Sequence, residues 1–179
     1  AMTAPINKLQ IANLHRFDII VSLLFIHQHY KKNDYGYKLY KISKQHGPLH
    51  FMQLIESFAQ HGFKKGHLLI TNNYYLYGDG AHRLACCSYF NIANIPTKIT
   101  INPHTYVNNY GLKWLQDTYC KEDIKKIVDF YCRYVVEIID NCDSPKKIKK
   151  RINYLIENNY DDKNIINIDE YLDLIFINQ

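Results

Sequence analysis

The run Tyr77-Gly78-Asp79-Gly80-Ala81-His82-Arg83-Leu84-Ala85 constrains this chain more than any other stretch. An extended segment, Asn73 to Tyr77, meets two glycines around an aspartate, and a helix-like segment, Ala81 to Phe90, follows at once. A strand that turns through Gly-Asp-Gly into a helix aims the N–H groups of the first helical turn at one spot. The positive end of the helix dipole adds to them, so the spot favours an anion. His82 and Arg83 fall in that first turn. They supply two side-chain donors beside the backbone of Gly78, Gly80 and Ala81. The competing reading is plain turn chemistry, with Arg83 as a structural ion-pair partner.

The segments around this turn read as a small α+β fold. Residues 1–13 form a lead-in. Leu14 to about Tyr30 suits a helix in which, between Phe17 and Ile26, only Asp18 and Ser22 are polar. Four residues apart, they share one face, which His15 and His29 extend. A helix apolar nearly all round is buried. Asp18 then either faces a polar cavity or satisfies backbone donors at the helix start. Gly36 reads as a turn before a short helix, and Gly47-Pro48 as punctuation. Phe51 to His61 is amphipathic, with Phe51, Leu54, Ile55 and Phe58 on one face and Gly62 as its C′ residue. Glu56 points off that face and reads as solvated.

His67–Thr71 and Asn73–Tyr77 read as short strands about an Asn72-Asn73 turn, and a third strand, Thr97 to Ile101, lies between Pro96 and Pro103. The last third reads as helical: Lys121 to Cys142, then a helix from Ser144-Pro145 to about Asn158, then Asp169 to Phe176. The expected division is an N-terminal helical segment over 1–50, a core over 51–105 and a C-terminal helical extension over 106–179, packed as one compact unit.

A chain of 179 residues suffices for such a core. The net charge of +5 gathers in Lys146 to Arg151. That cluster reads as a solvated helix face, or as a contact for nucleic acid or an anionic membrane. The cysteines number five, and no pair has CxxC spacing. They read as reduced, mostly buried thiols in a reducing compartment, here the cytoplasm, and not as a zinc site. No signal peptide is apparent, and the most apolar run, Phe17 to Ile26, is too short to span a bilayer. Of the sixteen tyrosines, Tyr74, Tyr75 and Tyr77 crowd ahead of the turn. They read as strand residues, with Tyr77 alone placed to stack on a ligand.

The stretch from about Phe51 to Ile101 resembles the ParB/sulfiredoxin-like superfamily. The likeness rests on the helix ending at Gly62, the strand His67–Thr71, the run Gly78 to Ala85, and Ile95-Pro96-Thr97-Lys98-Ile99. It covers roughly a third of the chain and implies a small mixed sheet with packed helices. Sulfiredoxins carry a catalytic cysteine just before the His-Arg pair, where this chain has Ala81. ParB-type CTPases carry Gly-Glu-Arg-Arg, where Ala81 and His82 replace the Glu and the first Arg. The free-serine kinases carry Asp-Gly-His-His-Arg, from which Asp79-Gly80-Ala81-His82-Arg83 departs only at Ala81. A wider likeness, through His15-Arg16-Phe17-Asp18-Ile19 and Lys38-Leu39-Tyr40, is to ParB-like proteins found with bacterial surface-polysaccharide genes. It implies a sugar or polyol substrate.

The nearest branch implies a kinase that uses ATP or ADP with Mg²⁺ to phosphorylate a hydroxyl of a sugar, polyol or amino acid. Phosphoryl transfer needs the phosphates held, their charge neutralised and the acceptor aligned. Gly78, Gly80 and Ala81 would hold phosphate oxygens. Arg83 would fork onto them, and His82 would donate a hydrogen bond or carry a proton. Asp79 would bind the acceptor hydroxyl or Mg²⁺. Asp18 is the candidate base, with no glutamate found at the position the serine kinases use. Arg16, Lys38 and Tyr77 are weaker candidates for substrate contact. Two other functions compete: a non-catalytic nucleotide- or sugar-phosphate-binding module of a polysaccharide-assembly pathway, and a ParB-like nucleic-acid-binding protein. The lack of an evident recognition helix counts against the latter.

Overall fold

The computed structural model describes residues 2–43, 47–100 and 110–138. The fold is α+β; the described residues form a three-stranded mixed sheet and are mostly helical. The helix expected from Ser144, the helix Asp169 to Phe176, Pro103, Cys142 and the Lys146–Arg151 cluster lie outside the described residues. Contacts divide the chain into two compact units. One is built from 1–13 and 18–106, the other from 14–17 and 107–179.

The first unit opens with β1 (Met2–Pro5) and α1 (Ile6–Ala12). Then come α2 (Phe17–His29, whose first residue belongs to the second unit), α3 (Gly36–Ile42) and α4 (Pro48–His61). After them follow β2 (Leu68–Ile70), α5 (Ala81–Tyr89) and β3 (Asn94–Ile99). The sheet order is β1-β3-β2, with β3 parallel to β2 and antiparallel to β1. Alternate residues Ala4, Leu68, Ile70, Ile95 and Thr97 are buried, as the two-residue period of a strand requires. Pro96 lies inside β3 and not ahead of it. Its missing N–H is tolerated on the β2 side because that register begins only at Thr97.

The lead-in reading of residues 1–13 is corrected by β1 and α1. Asn73–Tyr77 is also not a strand. Tyr74 takes a left-handed φ of +69°, which breaks the extended run, and only the bridge between Ile70 and Leu76 remains. Asn13, buried beyond α1, holds this segment instead. Its Nδ2 donates to the carbonyls of Leu9 and Tyr74, and its Oδ1 accepts from the Leu76 N–H at 2.9 Å. The segment leading into Gly78 is thus fixed by these side-chain hydrogen bonds together with a few backbone ones, from the Thr71 N–H to the Tyr75 carbonyl and from the Tyr77 N–H to the Leu69 carbonyl.

α2 is buried over most of its length, as its composition demands. Gly36 is the first residue of α3 and not a free turn: a Cβ there would lie 2.1 Å from the Leu24 carbonyl oxygen, so glycine permits α3 to touch α2. α4 buries Phe51, Ile55 and Phe58 and ends at Gly62 with φ +65°. α5 packs on α1 and α4 and buries Leu84, Ala85, Cys86 and Cys87.

The described part of the second unit has α6 (Leu112–Thr118) and α7 (Lys121–Ile138). Ile127, Val128, Tyr131 and Val135 are buried at helical spacing on α7. Tyr131 donates from its hydroxyl to the Leu14 carbonyl at 2.7 Å and packs against Phe17, with ring centroids 5.0 Å apart. Among the described residues, no helix is long and apolar enough to cross a membrane.

Candidate functional site

The Gly78–Gly80 turn forms as a break into α5. Gly78 and Gly80 have φ of +74° and +131°, values that L side chains rarely adopt. No side chain caps α5, and the first helical hydrogen bond runs from the Leu84 N–H to the Gly80 carbonyl at 2.8 Å. Asp79 is exposed on the outside of the turn, and Ala81 turns its methyl inward. Tyr77 is half-buried, and its N–H is spent on the Leu69 carbonyl at 2.9 Å.

His82 and Arg83 leave the helix in different directions. His82 faces α3 and α4, where Nε2 shares a 3.2 Å hydrogen bond with the Tyr40 hydroxyl. Its ring also meets Phe51 edge-on with centroids 4.4 Å apart. Burial pushes the Tyr40 hydroxyl up to about 12, so it stays protonated at neutral pH. Arg83 reaches the Gly66–His67 segment, and Nη1 donates to the His67 carbonyl at 3.1 Å. One donor of the guanidinium is thus used for positioning, leaving the rest of its fork for other partners.

Arg83 lines an open groove of about 270 Å³ with Ser57, Phe58, Phe63, Lys64 and Lys65. Lys64 and Lys65 come from the Gly62–Gly66 loop between α4 and β2, and among the described residues no carboxylate lines this groove. Cations from a loop and from the positive end of α5 therefore converge on one concave surface, beside the Ser57 hydroxyl and an apolar wall. Such a lining is chemically able to hold an anion with a less polar attachment. The sequence reading placed the anion at the turn backbone and missed Lys64 and Lys65. A pair of lysines between two glycines was the available signal.

The remaining candidates are dispersed. Asp18 is 2 % exposed in the first turn of α2, and its backbone carbonyl accepts from the Ser22 hydroxyl at 2.8 Å. Arg16 belongs to the second unit, where its guanidinium lies over the Tyr110 ring, 5.4 Å from the centroid. Lys38 is exposed on α3. Among the described residues, no three His, Cys, Asp or Glu side chains group as a metal site. A Mg²⁺ ion at Asp79 would take most of its ligands from phosphate and water. Cys86 and Cys87 are buried, and desolvation pushes both thiols up, Cys87 to about 12; Cys120 is exposed. No protein-family model, curated protein or solved structure matches this chain.

Proposed function

We propose that this chain binds the phosphates of a nucleotide in the groove of Lys64, Lys65 and Arg83, and transfers a phosphoryl group to a hydroxyl of a small molecule. The observation that carries the reading is the convergence of those cations with the Ser57 hydroxyl on one groove. Bidentate arginine and flexible lysines suit phosphate oxygens, and their charge offsets what builds up during transfer. The likeness of Asp79-Gly80-Ala81-His82-Arg83 to the free-serine kinases of the ParB/sulfiredoxin-like superfamily supports the same chemistry. The acceptor class is a sugar, polyol or amino acid. Asp79, on the exposed turn beside the helix that carries Arg83, is the candidate for Mg²⁺.

A second reading, a nucleotide- or sugar-phosphate-binding module without turnover, is favoured by the same lining, because the cationic groove holds no base. Calorimetric titration of ATP, ADP and CTP with Mg²⁺ tests both. Binding is expected to weaken about 10- to 100-fold in Arg83→Ala, the worth of a charge-assisted hydrogen-bond pair. Equal affinity in the variant would remove the groove from the site. Binding without release of ADP in the presence of any acceptor would leave the module reading.

A further inference from the structure

The carboxylate missing from the cationic groove lies next door. A second open groove, about 500 Å³, runs along the outer face of α4, and it shares Ser57 and Lys64 with the first. Its lining includes Gln53, Gln60 and His61, together with Leu49 and Met52. It also holds an ion pair that an acid–base step can use: His29 Nε2 and Glu56 Oε1 are 2.8 Å apart.

We infer that this groove is the acceptor subsite for a small polyhydroxy compound, with Glu56 as the general base and His29 as the residue that positions it. The inference rests on the nucleotide reading of the adjoining groove. Side-chain amides and hydroxyls beside an apolar patch match the alternating polar and C–H surface of a polyol or sugar. The volume lies within the usual range for small-molecule sites. Glu56 is 56 % exposed and His29 only 19 %, so the carboxylate is the member that meets the ligand while the imidazole is set back behind it. The hydrogen bond fixes one carboxylate oxygen and leaves the other for the acceptor.

In the step, the acceptor O–H proton passes to Glu56. The acceptor oxygen forms its bond to the γ-phosphorus of the nucleoside triphosphate. The bond from that phosphorus to the β,γ-bridging oxygen breaks, and the nucleoside diphosphate leaves with the electron pair. Ser57 and Lys64 border both grooves, which is where the transferred phosphoryl group must cross. Glu56 thus takes the role that the amino-acid pattern suggested for Asp18.

The test measures ATP affinity by calorimetry and ADP release with glycerol, glucose, myo-inositol and serine in turn, for the unmodified chain, Glu56→Gln and His29→Gln. Glu56→Gln is expected to bind ATP as the unmodified chain does and to lose roughly 100-fold or more in kcat, the contribution of a positioned base. His29→Gln is expected to lower kcat while the stoichiometry and affinity of ATP binding stay those of the unmodified chain, whereas loss of folded protein would lower the stoichiometry. ATP binding with the same kcat in Glu56→Gln overturns the assignment and leaves the nucleotide site standing. ATP binding without ADP release over the no-acceptor control overturns it in favour of a binding module. Absence of ATP binding in the unmodified chain overturns this assignment, and absence of ADP and CTP binding as well overturns the nucleotide reading on which it rests.

Discussion

Replacing Gly80 by alanine probes the joint between the fold and the site. At φ +131° an L-residue is strained, at a cost of about 1–3 kcal/mol. The new Cβ would also come within 3.3 Å of Leu68 Cδ2 and Leu76 Cδ2. Both leucines are fully buried, and Leu68 is held in β2, so the contact cannot relax into solvent. Pressing on a packed core costs about 1–3 kcal/mol more. Some of the strain relaxes by shifts of a few tenths of an ångström, so the expected loss is about 2–4 kcal/mol. With a urea dependence of about 2 kcal/mol per molar, a 3 kcal/mol loss lowers the unfolding midpoint by roughly 1.5 M. Gly78→Ala supplies the control. Its φ is +74°, and nothing lies within 4 Å of a Cβ built there, so only the left-handed cost of about 1–2 kcal/mol applies. Urea unfolding followed by far-ultraviolet circular dichroism reads both variants. Equal midpoints would refute the packing argument.

Gly36→Ala is expected to be at least as damaging, because the atom in the way is the Leu24 carbonyl oxygen at 2.1 Å, which Asn33 Nδ2 also binds. A urea midpoint unchanged from the parent would show that α2 and α3 do not touch there. Stability should fall as pH rises from about 9 toward 12, measured as the urea midpoint against pH. Burial raises Cys87 from 9.0 to about 12 and Tyr40 from 10.0 to about 12, so folding favours their protonated forms and that advantage is lost as pH rises through the folded values. A midpoint constant to pH 12 would contradict the burial of both groups. In the native protein at neutral pH, iodoacetamide should label Cys120 and spare Cys86 and Cys87, which mass spectrometry of digests would check.

Helices with a clear apolar period were legible from sequence. Phe51, Ile55 and Phe58 fix α4, and Ile127, Val128, Tyr131 and Val135 fix α7, because each pattern is local to its own element. What failed depends on partners far along the chain. Nothing between Met2 and Pro5 announces a strand; β3 makes it one. Tyr74 and Tyr75 have strand propensity, but Asn13 and a left-handed Tyr74 override it. At the site, the sequence placed His82 and Arg83 side by side without revealing that the helix points them apart, His82 onto Phe51 and Arg83 onto the Gly66 loop. Consecutive helical residues diverge by about 100°, so adjacency in sequence opposes convergence on one ligand. Lys64 and Lys65 join Arg83 only through the fold. Glu56 lies off the buried face of α4 and is exposed, as its place in the pattern implies; that it also lines a groove is a matter of the fold.

The pairing of β1 with β3 also bears on the order of events during synthesis. Met2 meets Thr97 and Pro5 meets Asn94, so α1 through α5 are threaded between two strands that complete one sheet. At about 5–20 residues per second, β1 leaves the ribosome on the order of ten seconds before its partner does. During that interval its backbone donors and acceptors have no strand to meet, and the helices that follow must collapse around an unfinished sheet. Closure of this unit is then a late, long-range step, and a slow phase in refolding that disappears when residues 2–5 are deleted is its kinetic signature.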